Sequence, residues 1–180
     1  MDQPGQRPHL AQINVGRLRH GPGSPQMREF MAALGRINEL AERSPGFVWR
    51  FPTDEGHFGC DGNRDDPSTF VNVSVWLSYR HLHAFTYRTT HGHLVRRRRE
   101  WFVAMTPPTT ALWWTPVGEQ PTIEAAMARL RQLRIYGPTP QAFSLRRRFD
   151  PSGRPEPPRR TASPRMDGRA APAPSHSESV

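Results

Sequence analysis

The stretch that decides the fold runs from Thr69 to Leu77 and reads TFVNVSVWL. Valine returns at every second position, and this spacing of β-branched residues is typical of a β-strand. The alternation puts Val71, Val73 and Val75 on one face of the strand, which we expect to pack against helices. The opposite face receives a mixture of aromatic and polar residues, namely Phe70, Asn72, Ser74 and Trp76.

Further strand and helix signals flank this strand on both sides. Strands are predicted at residues 10–17, 47–51 and 111–116, with an edge strand at 143–149. Helices are predicted from Pro25 to Ala41, from Ser78 through Phe102 with a break near Thr89, and from Thr122 onward. The order β-α-β-β-α-β, followed by α-β, predicts an α+β fold of the ferredoxin-like split βαβ type with an antiparallel sheet. Helices are expected on one face of that sheet only.

Composition divides the 180 residues into three parts. Residues 1–7 are expected to be a flexible N-terminus, and residues 8–149 to be one domain. Residues 150–180 are rich in Pro, Arg and Ser and have almost no large apolar side chain. Such a segment cannot bury enough surface to offset its ordering entropy, so we predict a disordered tail.

The charge and cysteine content narrow the class of protein. The formal net charge is +9, and all 25 basic residues are arginine. A single cysteine, Cys60, excludes a disulfide framework within the chain. The N-terminus has no apolar signal region and no segment approaches the ~20 apolar residues of a membrane span, so we expect a cytoplasmic protein without a membrane partner.

The face that carries Trp76 is the first candidate site. On the first strand, Asn14 belongs to the same face as Phe70, Asn72 and Trp76 if the strands alternate regularly. Aromatic and amide groups together suit a ligand cavity with a few convergent polar groups. The alternative is that these residues pack in a dimer interface. Trp113 on a later strand is expected to join them.

The second helical region supplies the other candidates. Projected at 100° per residue, His91 and Arg98 fall in the middle of its apolar face. A buried cation needs a partner, so Arg98 either pairs with a carboxylate or holds an anionic ligand. His91 is a candidate acid, base or metal ligand.

Four histidines in this region also raise the question of a metal site. His81, His83, His91 and His93 form two His-x-His pairs. Neighbours two apart diverge on a helix, and no Cys or carboxylate stands at ligand spacing. We therefore predict no metal site.

Several motifs together resemble a family of domains of unknown function numbered 3291. They include Ser44-Pro-Gly-Phe-Val-Trp-Arg50, Val71-Asn-Val-Ser-Val-Trp76, Phe85-x-Tyr-Arg-x-x-His91 and Arg98-Arg-Glu-Trp-Phe102. The resemblance covers residues 10–149 and implies the dimeric α+β barrel superfamily, hence a homodimer joined through the sheets. Wider relatives include cofactor-independent monooxygenases of antibiotic biosynthesis and haem-degrading enzymes. The haem enzymes use an Asn, a Trp and a His in places similar to those of Asn14, Trp76 and His91, with His83 as the fallback for the histidine.

These features favour a small-molecule enzyme resembling the cofactor-independent monooxygenases. In that interpretation Phe70, Trp76 and Trp113 surround an aromatic or enolisable substrate. Asn14 and Asn72 bind its oxygen, and His91 with Arg98 stabilises the developing anion. No cofactor is predicted. The alternatives are haem binding in the same cavity and a non-catalytic dimeric ligand-binding protein.

RNA binding is a further alternative, because RNA-recognition modules share this topology. Their basic-Gly-aromatic signature is missing from every predicted strand, which argues against nucleic acid.

Overall fold

The computed structural model describes residues 7–52, 68–89 and 91–157, without the side chains of residues 91, 93 and 94. The strands are β1 (His9–Leu18), β2 (Phe47–Arg50), β3 (Thr69–Trp76), β4 (Phe102–Val103) and β5 (Thr110–Thr115). The helices are α1 (Arg28–Glu42), α2 (Tyr79–Arg88), α3 (His91–Arg97) and α4 (Ile123–Tyr136). Short 3-10 turns precede α1 at Pro25–Met27 and follow α3 at Arg98–Glu100.

The sheet is antiparallel, with β1 at its centre. The order is β2-β3-β1-β5, and β4 continues the β5 side of β1 at Arg17 and Leu18. This is the strand order of the ferredoxin-like split βαβ fold, so the predicted α+β class is confirmed.

One face of the sheet is apolar and lies under α4. Val71, Val73 and Val75 are completely buried there, together with Leu130 and Leu133 of the helix. The opposite face lies under α1 and α2. The expectation that helices cover one face only is therefore wrong, because the predicted third helix returns over the valine face instead of joining the other two.

The face under α1 and α2 has two separate apolar clusters. The first surrounds Trp76 and includes Leu10, Leu82 and Phe85. The second lies at the other end of the strands; its buried members are Leu18, Met27, Phe30, Leu34, Phe70 and Trp101. Because α1 contributes to both clusters, it must cross the part of the sheet that lies between them.

Local sequence explains where the helices begin and end. Thr122 accepts a hydrogen bond from the Ala125 amide at 3.1 Å, which caps α4. After α1 the chain reverses at Gly46, whose φ of 77° is unfavourable for other residues. The His81 ring also occupies the space that a side chain at Gly46 would need.

The segment after α4 is folded onto the domain. Phe143 pairs with Leu112 through two hydrogen bonds of 2.8 Å, which is an isolated bridge in place of the predicted edge strand. Arg148 lies over the ring of Tyr79 at 4.0 Å and donates to Glu156 at 2.8 Å.

The chain continues beyond Arg148 as a tight turn. Asp150 accepts hydrogen bonds from Ser152 and from the Arg154 amide, which lower the pKa of its carboxyl, the Ser152 hydroxyl contributing most. Residues 150–157 thus belong to the domain, and the predicted boundary at 149/150 falls too early. The rest of the predicted tail, the first six residues and Cys60 lie outside the described residues.

Within the described part of the chain, none of the helices combines the length and apolar character needed to cross a membrane.

Candidate functional site

Two rows of polar side chains cross the sheet between the two apolar clusters. Ser74 lies opposite Gln12, and Asn72 lies opposite Asn14. Thr110 of β5 completes the second row on the other side of Asn14. Directly opposed residues in an antiparallel pair share a face, so these groups lie side by side under α1 and α2. We call this group of five residues the polar slot.

The hydrogen bonds within the polar slot leave amide donors unused. The Thr110 hydroxyl donates a hydrogen bond to the side-chain amide oxygen of Asn14 at 3.1 Å. The side-chain amide nitrogen of Gln12 donates to the side-chain amide oxygen of Asn72 at 3.4 Å. Both bonds use the oxygen of an asparagine, and among the described residues neither asparagine NH₂ group has a partner. Two NH₂ groups on neighbouring strands are thus free to bind an oxygen atom.

Solvent reaches the polar slot. Asn14 is exposed although it lies on the central strand of the sheet. Its two strand neighbours, Asn72 and Thr110, are half-buried. A side chain in that position is normally covered by the helices on the same face. Its exposure shows that the helix layer has an opening down to the sheet.

Trp76 closes one end of the polar slot as a core residue. Its side chain is 1% exposed, and its indole N–H donates to Ser74 at 2.9 Å. The ring stacks on Phe85 with centroids 5.0 Å apart and meets Phe47 edge-on. The predicted position of Trp76 on this face is therefore right, but its ring is enclosed by protein in the structure.

Phe70 closes the other end. It is buried against Phe30 and Phe102, with ring centroids 5.7 and 5.8 Å apart. Phe102 lies directly over Gly16, where a methyl group would come within 2.6 Å of its ring. The missing side chain at position 16 is what lets this aromatic cluster sit against β1.

Trp113 is not on this face. It pairs with Ala11, and its neighbour Trp114 pairs with Leu10. Trp113 is consequently buried under α4 with the valines, and its predicted place beside Trp76 is wrong. A register one residue different from the expected one exchanges the two faces of a strand. Trp114 is the indole on the slot side, and it donates to the Phe149 carbonyl at 2.8 Å.

Arg98 also lies elsewhere than predicted. It is exposed, whereas the preceding Arg97 is half-buried and pairs with Glu29 and Glu100. Helix α3 ends at Arg97 and continues as a 3-10 turn, which changes the angle per residue and shifts the inward position. The two carboxylates raise the pKa of Arg97 above its ordinary value, the hydrogen bond with Glu100 contributing most and that with Glu29 next.

Of the four histidines in this region, the structure describes the side chains of His81 and His83. His91 is the first residue of α3, but its side chain and that of His93 lie outside the described residues. His81 bonds to Ser78 at 2.9 Å. His83 lies between Tyr79 and Tyr87, on a different side of α2 from the core residues of that helix. In the described ranges, no three His, Cys, Asp or Glu side chains are grouped as metal ligands.

Asn38 is a polar residue that the sequence analysis missed. It lies on the buried side of α1 between Leu34 and Ala41 and is 5% exposed. The signal that could have identified Asn38 is its place four residues after Leu34 and three before Ala41.

The chemistry available in the polar slot is that of neutral donors. Two free amide groups can stabilise a carbonyl oxygen or a phenolate without carrying a charge themselves. The aromatic clusters at both ends limit the length of the space between them.

Comparisons with known proteins assign no activity to the chain. The structure resembles the NE2512 protein of unknown function from Nitrosomonas europaea, with 18% identity and a TM-score of 0.44 over 66% of this chain and 99% of that one. It also resembles SnoaB, a cofactor-independent oxygenase from Streptomyces nogalater, with 17% identity and a TM-score of 0.43 over 64% and 97%.

No curated protein matches the sequence. A family model, described as Domain of unknown function (DUF3291), matches residues 9–160. That range includes every strand and helix described above, and its end agrees with the folded segment after Phe149. The chain therefore belongs to the DUF3291 family.

Proposed function

We propose that the polar slot binds a flat, oxygen-bearing small molecule and that the protein oxidises it without a cofactor. The observation that carries the proposal is the exposed Asn14 on a central strand, with its NH₂ group unused. An exposed donor at the bottom of an opening is a feature of ligand sites rather than of packed cores.

Asn14 and Asn72 hold the ligand oxygen in this proposal. Their side chains start from directly opposed positions, about 5 Å apart at Cβ. A single carbonyl or phenolate oxygen can therefore accept from both. Such donors stabilise negative charge as it develops on that oxygen, which lowers the barrier to removing a proton from an adjacent carbon.

The oxidation follows from this loss of a proton. An activated CH₂ group and O₂ give C=O and water, so the substrate supplies all the electrons. An aromatic or enolisable substrate, such as an intermediate of antibiotic biosynthesis, meets this requirement. His91 is the proposed base, because helical projection of the sequence puts it on the apolar face of this region. Trp113 and Arg98 have no part in the slot.

Haem binding, the second candidate, gains no support from His83 or Trp76. His83 lies among tyrosines away from the core side of α2, and Trp76 is enclosed by Phe85 and Phe47.

A binding and turnover experiment tests the proposal. The probe is a dihydroxyanthrone, which is flat and carries a ketone, two phenols and an activated CH₂ group. Binding is measured by fluorescence titration without oxygen, and turnover by oxygen consumption. Asn14→Leu should weaken binding at least tenfold, because it removes a donor and fills the opening. Gln120→Leu, in an exposed loop, is the matched control and should bind as the wild type does.

The two measurements separate the alternatives. Equal binding by wild type and Asn14→Leu would refute the polar slot as the site. Binding that Asn14→Leu abolishes, without oxygen consumption by the wild type, would refute the oxidation and favour the non-catalytic ligand-binding protein.

A further inference from the structure

The outer face of α4 has exposed apolar side chains at its C-terminal end. The inner face of this helix packs Ala126, Leu130 and Leu133 against the valine face of the sheet. Ile135 and Tyr136 are 70% and 74% exposed, more than any other large apolar side chain in the described ranges. Neighbouring apolar side chains that the core does not use are a feature of interaction surfaces.

Four exposed residues form a stripe along the middle of the outer face of α4. Glu124, Ala128, Arg131 and Ile135 follow one another at i, i+4, i+7 and i+11, which places them within an arc of about 60° on the helix. All four are exposed. In the part of the chain that the structure describes, Glu124 and Arg131 have neither a hydrogen bond nor an ion pair through their side chains.

The two charges of this stripe are self-complementary about Ala128. Glu124 precedes Ala128 by four residues and Arg131 follows it by three, so they lie about 6 and 4.5 Å from it along the helix axis. If two copies of α4 pack antiparallel around a two-fold axis near Ala128, each Glu124 lies opposite the partner's Arg131. A parallel pair would instead place like charges opposite each other, which is unfavourable. The charge pattern therefore favours the antiparallel arrangement.

The other members of the stripe suit the same arrangement. Ala128 has a small side chain, which lets the two helix axes approach to about 8 Å at the centre. Ile135 is seven residues after Ala128, so it lies opposite the residues that precede the partner's α4. That segment, residues 116–120, is exposed and includes Val117, which is 41% exposed. Apolar contacts thus lie outside the two charge pairs, at both ends of the helix pair.

We propose that the outer face of α4 is a dimerisation surface and that its occupant is α4 of a second copy of this chain, packed antiparallel. The subunits then join through helices and not through the sheets. With 14 residues α4 is about 21 Å long, so the interface is at the small end of stable interfaces and dissociates at micromolar concentrations. Each subunit buries its own core, so association this weak adds little to the stability of the fold.

Charge reversal tests the pairing across the two-fold axis. Arg131→Glu places two glutamates opposite each other at both symmetric contacts and should raise the dissociation constant about tenfold, because attraction is replaced by repulsion twice. Glu124→Arg should have the same effect through two arginines. The double variant Glu124→Arg/Arg131→Glu restores opposite charges and should dimerise as the wild type does. Arg36→Glu, at an exposed position of α1, is the matched control and should leave association unchanged.

Sedimentation velocity of the full chain between about 1 and 100 μM measures these dissociation constants, since this range spans micromolar affinity. Every substituted position is exposed, so the variants should fold as the wild type does, which circular dichroism checks.

Cross-linking locates the two-fold axis independently of charge. Ala128→Cys in a Cys60→Ser background brings two thiols together near the axis and should give a disulfide-linked dimer on mild oxidation. Ala125→Cys is the matched control, because it is an exposed alanine of the same helix. Its two copies would lie about 9 Å apart along the helix axis, which is beyond the reach of a disulfide.

Four outcomes would overturn the proposal. The first is a monomer at the highest protein concentration. The second is a dimer that neither charge reversal weakens, which would indicate contact through another surface. The third is a double variant that stays as weak as the single ones, and the fourth is equal cross-linking of both cysteine variants. None of these measurements involves the polar slot, so failure here is separate from failure of the proposed function.

Discussion

Single residues on β1 decide how the slot side of the sheet is filled. Gly16 gives its space to Phe102, and Asn14, two positions earlier, keeps an exposed amide. Both positions belong to the same face of the strand, but Gly16 is covered by Phe102 whereas Asn14 is exposed to solvent. Strand alternation predicted the shared direction; the cover over Gly16 comes from Phe102, which is distant in sequence.

The close approach at Gly16 leads to a stability prediction. Gly16→Ala places a methyl group 2.6 Å from the Phe102 ring, which is itself packed against Phe30 and Phe70. The ring must move, and overpacking of this kind costs about 1–3 kcal/mol. Urea unfolding followed by tryptophan fluorescence measures the loss.

A second glycine provides the control. Gly35 is exposed in α1 with no atom within 4 Å of an added methyl group. Gly35→Ala should stabilise the domain by about 0.5–1 kcal/mol, since alanine favours the helix. Equal stability of Gly16→Ala and the wild type would contradict the close packing.

At the scale of elements, the sequence predicted the strand order and the break between α2 and α3. It failed where an element's contacts depend on a distant partner. Trp113 and Trp114 are both large and apolar, so the sequence of β5 alone does not show which one faces the valines. Arg97 and Arg98 are adjacent and chemically identical, and the change to a 3-10 turn decides which one is inward.

The segment after α4 shows the same limit. Its composition resembles that of the tail, yet Arg148 lies over Tyr79 of α2 and donates to Glu156. The Phe149 carbonyl accepts a hydrogen bond from Trp114 of β5. The Asp150 turn between them closes on its own backbone amides. Local composition therefore indicated disorder where a few specific contacts produce order.

Two truncations test how much this segment contributes. A chain ending at Phe149 loses the Glu156–Arg148 bond and the bridge between Phe149 and Pro155. Together these are worth on the order of 1–2 kcal/mol, which corresponds to a fall in Tm of about 2 to 8 °C. A chain ending at Pro157 should melt as the full chain does, because residues 158–180 include almost no large apolar side chain. Differential scanning calorimetry distinguishes them, and equal Tm for both truncations would contradict a role for residues 150–157.

For the whole molecule, the covering of both sheet faces changes the argument about assembly. The family resemblance implies a homodimer joined through the sheets, and a sheet face without helices would need such a partner. Phe70 and Trp76 are buried within one chain, and so are the valines on the other side. The homodimer stays a prediction, but burial of the sheet no longer requires it.

Thermal unfolding at several protein concentrations tests whether one chain folds without a partner. If one chain buries its own core, Tm should be the same at about 1 and 100 μM protein, since unfolding then involves no dissociation. A Tm that rises with concentration would indicate a dimer whose subunits depend on each other for folding. Sedimentation at the same concentrations reports the assembly state directly.

The central position of β1 also affects how the chain folds as it is made. Residues 9–14 leave the ribosome before the other four strands, but their partners on β5 are about 100 residues later. Until then one edge of β1 has no strand beside it, and α4, which covers its apolar side, is later still. Contacts this far apart in sequence slow folding and leave apolar strands open to aggregation. Although β1 is made before the other four strands, it is thus among the last to gain all its neighbours, and until then its apolar side is open to aggregation.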